Sequence, residues 1–154
     1  ITIYLAWSLL KKDKNEWVIQ KCTELGVSHF LPLITDRSTP TDISQFRLER
    51  LKKIAIEASE QCGRSDIPTV REPMHVKTFI DEFQEKLPIY VCEQGQEHIA
   101  GYPGELAILV GPEGGWSDEE KQIFEESKAN YIGLHDFTLR AETACVSAAT
   151  LVLK

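Results

Sequence analysis

Apolar residues fall in short continuous runs, and between the runs they recur every three or four positions. IYLAW at 3–7 is one such run, the mark of a strand covered on both faces. DKNEWVIQKCTELG follows it, with Asp13 and Glu16 at capping-box spacing and apolar Trp17, Val18, Cys22 and Leu25 behind them, in a helix that Gly26 closes. VSHFLPLI predicts a second strand. After a polar loop through Arg37, the periodicity predicts a helix from about Ser44 to Gln61, with Phe46, Leu48, Leu51, Ile54, Ala55 and Ala58 inward and Gly63 as its stop.

The second half repeats the alternation. It predicts a short helix near 77–85, strands at 89–92 and 106–110, a helix from Ser117 to about Lys128, a strand at 131–134 and a helix from Thr143 onward. Strands alternating with helices make this an α/β chain, with a parallel sheet under covering helices. There are no repeats, low-complexity segments or internal linkers.

At 154 residues, 42% hydrophobic and 27% charged, the chain fits one domain with a real core. No apolar run approaches the roughly 20 residues that cross a bilayer, and the amino-terminal run is too short for a signal peptide, so a cytoplasmic protein is expected. Cys22, Cys62, Cys92 and Cys145 stand far apart with no histidine at ligand spacing; neither a metal site nor disulfides are expected. Met74 is the only methionine and the chain ends in ATLVLK, an apolar helical run, so it reads as an excised domain.

The net charge of −7 argues against a polyanion partner, but its distribution is uneven. Residues 1–76 hold 11 Lys+Arg and 10 Asp+Glu, against 6 and 14 in 77–154. Arg47, Arg50, Lys52 and Lys53 form either a basic patch or a solvated helix face.

Candidate chemistry gathers in two places. LVGPEGGWS at 109–117 follows a doubly buried strand and precedes Ser117–Glu120, a capping box, which puts a glycine-rich loop at the carboxyl end of a parallel strand, where open α/β sheets bind ligands. The loop lacks G-x-G-x-x-G and has no Gly-Lys-Ser/Thr after it, so dinucleotide and P-loop readings fail. Glu113 inside the loop would repel a pyrophosphate. It suits a cationic ligand, or caps local backbone donors; a turn used only for tight packing is the other reading. The second place is LHDFTLRAETACVSAA at 134–149, where Arg140 and Glu142 precede a helix rich in small residues (Ala144, Ser147, Ala148, Ala149). The two charges are either a site or a surface ion pair.

These blocks carry a resemblance. GPEGGWSDEE with LRAETA some twenty residues on, KCTELGVSHFLPLITDRS and IAIEASEQCGR together resemble the RsmE family of the SPOUT superfamily, bacterial methyltransferases acting on uridine N3 in 16S ribosomal RNA. The resemblance spans nearly the whole chain. It implies a C-terminal deep trefoil knot, S-adenosylmethionine as cofactor, and a homodimer formed through the knot region. It also implies a partner in the small ribosomal subunit, and an N-terminal RNA-binding β-barrel domain to which nothing before Ile1 corresponds. By motif position, the cofactor would meet three segments, Cys92–Glu93, Leu109 to Gly115 and Leu134 to Ala144, through Cys92, Glu93, Leu109, Val110, Gly111, Pro112, Glu113, Gly114, Gly115, Leu134, Leu139, Arg140, Thr143 and Ala144. Arg140 would position the uracil and stabilise its developing negative charge, and Glu142 would orient Arg140 or relay the proton. Arg37, Gln61 and Arg64 would contact RNA.

The chain departs from the family's L-G-x-R-I-L-R at LHDFTLR, where His135, Phe137 and Thr138 stand in place of a glycine, a basic and an aliphatic residue. His135 brings a Cβ toward the expected adenine pocket. Two rival readings remain: a SPOUT methyltransferase acting on a tRNA ribose hydroxyl, and a ribosome-assembly factor that binds without turnover.

Overall fold

A computed structural model of the chain describes residues 1–98 and 101–153. IYLAW lies within β1 (Thr2–Ser8), which sits at the centre of a seven-stranded sheet between β2 (His29–Ile34) and β6 (Glu105–Val110). β3 (Thr69–Val70) and β4 (Met74–His75) both pair with β2. On the other side, β5 (Ile89–Cys92) pairs with β6, and β7 (Asn130–Ile132) with β5. The order is β3-β2-β1-β6-β5-β7, and every pairing is parallel, as the alternating pattern requires. The chain winds outward from β1 through β2, then crosses over and returns at β5 and β6. That reversal opens a crevice at the carboxyl ends of the strands.

Two apolar layers cover the sheet. α1 (Lys14–Glu24), α2 (Gln45–Cys62) and α5 (Ala141–Val152) pack on one face, joining Val18, Leu51, Cys145 and Ala148 to Leu5, Trp7 and Ile108. α3 (Val76–Phe83) and α4 (Asp118–Glu126) cover the other, where Phe79 and Phe124 meet Leu31 and Leu109. Among the described residues no helix is long and apolar enough to cross a membrane.

α2 begins and ends where its caps predict: the Ser44 hydroxyl accepts from the Arg47 amide, and Gly63 closes the helix in the left-handed region. Other expectations fail for identifiable reasons. Asp13 makes no side-chain cap, and Glu16 turns instead to Arg50, 2.6 Å away. Phe46 is 80% exposed, because two residues before Leu48 is about 200° around a helix and hence on the opposite face. The last helix starts at Ala141, two residues early, with Arg140 as its cap. The Arg47–Lys53 stretch is a charge-balanced helix face: Arg50 pairs with Glu16, Lys52 with Glu49 and Lys53 with Glu57.

Candidate active site

β6 ends at Val110, and the chain must leave the sheet while remaining packed on it. Gly111 allows this, since a Cβ there would lie 2.8 Å from Cε2 of Trp116. The Trp116 indole folds back over the loop, donates to the Cys92 carbonyl at 3.2 Å and packs edge-on against Phe124. The loop is thereby bound to the end of β5. Gly115, at φ +79°, closes the turn by donating its amide to the Pro112 carbonyl at 2.9 Å.

A latch holds the loop's outer side. Arg37 Nη1 donates to the Gly114 carbonyl at 2.9 Å, and the Ser117 hydroxyl donates to the Asp36 carboxylate. The capping box is complete: the Ser117 hydroxyl accepts from the Glu120 amide at 3.1 Å, and Glu120 accepts from the Ser117 amide at 2.8 Å. The other carboxylate oxygen of the buried Glu120 accepts from the Asp36 amide at 3.2 Å. The turns after β2 and β6 are thus joined across the end of β1.

A strap forms the third side. The Glu93 amide donates to Ile132 and the Gly133 amide to Glu97, at 2.9 and 2.8 Å, so residues 93–97 run across the end of β7. A Cβ on Gly133 would stand 2.1 Å from the Gln96 carbonyl oxygen. Thr138 donates to Gln94 at 2.8 Å and fastens the strap to the chain before α5.

These walls enclose a cavity of about 200 Å³. The end of β5 supplies Cys92 and Glu93, the glycine loop Val110 to Glu113 and Gly115, and the third wall Leu134, Leu139 and Ala144. Four of the residues expected there do not line it. Leu109 is buried in the core under α3 and α4, Gly114 faces Arg37, and Arg140 and Thr143 are exposed at the start of α5. Gln94 and Trp116 line it without a signal in the sequence, whereas His135, Phe137, Thr138 and Ala141 line it from within the 134–144 segment expected to meet the cofactor. The His135 ring accepts the Phe137 amide at 3.1 Å, so the two rings fold toward each other within the cavity's wall.

The cavity is suited to a cation. Glu93 and Glu113 line it, and among the described residues no lysine or arginine does. Glu93 Oε1 lies 3.6 Å from Lys121 Nζ, whereas its Oε2 is buried without a partner among the described residues. Glu142 has the same character: Oε1 is 3.5 Å from Lys14 Nζ, and Oε2 is buried and unpartnered among the described residues. A buried unsatisfied oxygen costs roughly 1–3 kcal/mol, which a bound hydroxyl or cation would recover. Lys14 also reaches Glu113 at 3.8 Å, so Glu142 is tied to α1 and not to Arg140. The Arg140 guanidinium makes no ion pair or hydrogen bond among the described residues.

Burial pushes the Cys22 thiol up to about 12, and burial likewise raises Cys92 and Cys145. All three are therefore neutral thiols in the folded protein, unsuited to attack. Unfolded, they would titrate near 9.0. Above that pH the folded state holds protons the unfolded state has released, so stability is full below about pH 9 and falls as pH rises toward 12. Urea unfolding at pH 7.5, 9 and 10.5 is expected to show that decline, and a smaller one in Cys22→Ala.

The three residues expected to contact RNA are placed differently from one another. Arg37 sits beside the glycine loop, as described. Gln61 is exposed near the end of α2. Arg64 is a strut, donating to the carbonyls of Thr23 and Val27 at 2.9 and 2.8 Å and pairing with Asp66.

The comparisons with known proteins agree with one another. Residues 1–153 match the family model described as an RNA methyltransferase domain. Ribosomal RNA small subunit methyltransferase E of Aquifex aeolicus is 30% identical over 156 residues, covering 99% of this chain and 68% of that protein. The chain belongs to this family. The Bacillus subtilis member is 33% identical over 170 residues, covering 99% of this chain and 65% of its own. The crystal structure of the family member from Neisseria gonorrhoeae bound to S-adenosyl methionine superposes with a TM-score of 0.88 at 29% identity, over 97% of this chain and 64% of that one. The chain thus spans about two thirds of the length of these relatives.

Proposed function

We propose that the chain is the catalytic domain of an S-adenosylmethionine-dependent methyltransferase acting on N3 of a uridine in 16S ribosomal RNA of the small subunit. The observation that carries this reading is the carboxylate-lined cavity at the carboxyl ends of β5, β6 and β7, the donor cavity, which no lysine or arginine lines among the described residues. Family membership and the cofactor-bound relative support it. When bound, the cofactor supplies a methyl group on a positively charged sulfur. Glu93 and Glu113 would face that charge, and the buried Glu93 Oε2 would accept a hydroxyl. The glycine loop lets backbone approach the ligand without a Cβ in the way.

Uracil N3 carries a proton and is a poor nucleophile until it loses it. Glu142, with one carboxylate oxygen unpartnered and the other near Lys14, receives that proton in our reading. Arg140, exposed and without an internal partner among the described residues, holds the uracil and stabilises the negative charge as it forms. The deprotonated N3, held by Arg140, would be the nucleophile for the methyl group that the bound cofactor supplies. Because N3 lies on the pairing edge, the target must be unpaired.

The same reading includes the knot and a homodimer formed through it. Support for the knot comes from the Gly101 and Tyr102 amides, which donate to the carbonyls of Leu151 and Val152 and so join the residues before β6 to the end of α5.

Arg140→Ala is the direct test, with methyl transfer to small subunits lacking the modification and cofactor affinity measured separately. Turnover is expected to fall about 10²-fold or more while affinity stays within about twofold. Unchanged turnover would remove Arg140 from the mechanism.

A further inference from the structure

On the far side of the glycine loop lies a second cavity, of about 270 Å³. It shares Pro112 and Glu113 with the donor cavity, so one stretch of chain partitions the two. Their charges are opposite. Lys11, Lys14 and Arg37 line the second cavity, with Ser38 and Thr39 beside them and Glu113 as the one acidic member among the described residues. A site that transfers a group from a cation to a polyanion needs this sorting, with negative charge around the donor and positive charge around the acceptor.

The cations are held on a fixed frame. Asn15, buried in α1, accepts from Trp7 Nε1 and from the Leu10 amide, both at 3.0 Å, and donates to the Leu10 carbonyl at 2.9 Å. That residue fastens the end of β1 to the helix. Between them the chain makes a tight turn, with Lys12 at φ +56° and the Lys14 amide donating to the Lys11 carbonyl at 3.3 Å, and this sets Lys11 and Lys14 at the cavity. Arg37 is fixed on the partition itself by its bond to Gly114. Lys14 lies 3.5 and 3.8 Å from its two carboxylates, beyond good hydrogen-bond length, so an entering anion can draw it away at small cost.

We propose that this cavity is the acceptor subsite. It takes the sugar–phosphate backbone of single-stranded RNA, with Lys11 and Lys14 against the phosphate, so that the attached base is presented across the partition to the donor cavity. The proposal rests on the methyltransferase reading for its purpose, but its test does not depend on turnover.

The test uses the 154-residue chain and a fluorescein-labelled decauridylate, titrated by anisotropy across a series of salt concentrations, with S-adenosylmethionine affinity measured in parallel by calorimetry. Lys11→Met with Lys14→Met is expected to weaken RNA binding at least tenfold and to reduce the slope of log K against log salt by about 0.7 per lysine. Cofactor affinity should not fall, since the exchange removes positive charge from beside Glu113. Lys12→Met, on the same turn but outside the cavity lining, should bind RNA as the unaltered chain does, and Lys14→Arg should retain most of the affinity. RNA binding and salt slope unchanged in the double variant would overturn the proposal, as would an unaltered chain that binds no decauridylate. A chain that binds decauridylate through these lysines but takes up no S-adenosylmethionine would overturn the methyltransferase reading and leave the subsite standing.

Discussion

Gly133→Ala is expected to destabilise the protein by about 3 kcal/mol or more, at the upper end of the range for overpacking substitutions. The added methyl would stand 2.1 Å from the Gln96 carbonyl oxygen, and the obstacle is backbone, which cannot rotate aside as a side chain would. The strap would have to lift, breaking the bond from the Gly133 amide to Glu97 and disturbing the one from Glu93 to Ile132. For a domain of this size the midpoint of thermal unfolding should drop by roughly 6–12 °C. Calorimetry should also show S-adenosylmethionine affinity falling more than tenfold, because Glu93 and Gln94 belong to the cavity wall. A midpoint within about 2 °C of the parent would mean that the strap yields freely and is no fixed part of the site.

Glu142→Gln should do the opposite, leaving the fold intact and removing turnover. Glutamine has nearly the same shape, and its amide oxygen can still face Lys14, so the start of α5 should hold. It cannot take the uracil proton. Loss of a general base typically reduces the rate by 10² to 10⁴-fold, and that range is expected here for methyl transfer, with cofactor affinity little changed. The deficit should narrow as pH rises, since alkaline solvent removes the N3 proton without help. A uniform deficit across pH would assign Glu142 to positioning Lys14 and not to proton transfer.

Much of the architecture can be read from local pattern. Ser44 and Gly63 bound α2, Ser117 and Glu120 open α4, and the doubly apolar runs predict parallel strands, because each of these signals depends on neighbours a few residues away. β3 and β4 escape notice because two residues are too few to show any period. Asp13 and Glu16 mislead because a partner 34 residues on, Arg50, competes for the glutamate. Phe46 misleads because apolar character alone does not set direction, which depends on the angle around the helix. At the site, the glycine loop and the Glu142 segment are visible in the sequence. Lys14 is not, since only the placement of β1 beside β6 brings the start of α1 against the loop. Gly133 could have been suspected from its place in an apolar strand, but the strap that requires it comes from residues some 37 positions earlier.

The latch from Asp36 and Arg37 to Gly114, Ser117 and Glu120 joins segments about eighty residues apart. No short portion of the chain can make the pocket on its own, and its walls come together only when nearly every strand has found its neighbour. Ligand occupancy therefore reports on the integrity of the entire molecule: a dye-monitored melt should climb steadily with added ligand, following RT ln(1 + [L]/Kd), with no early partial transition that ignores it.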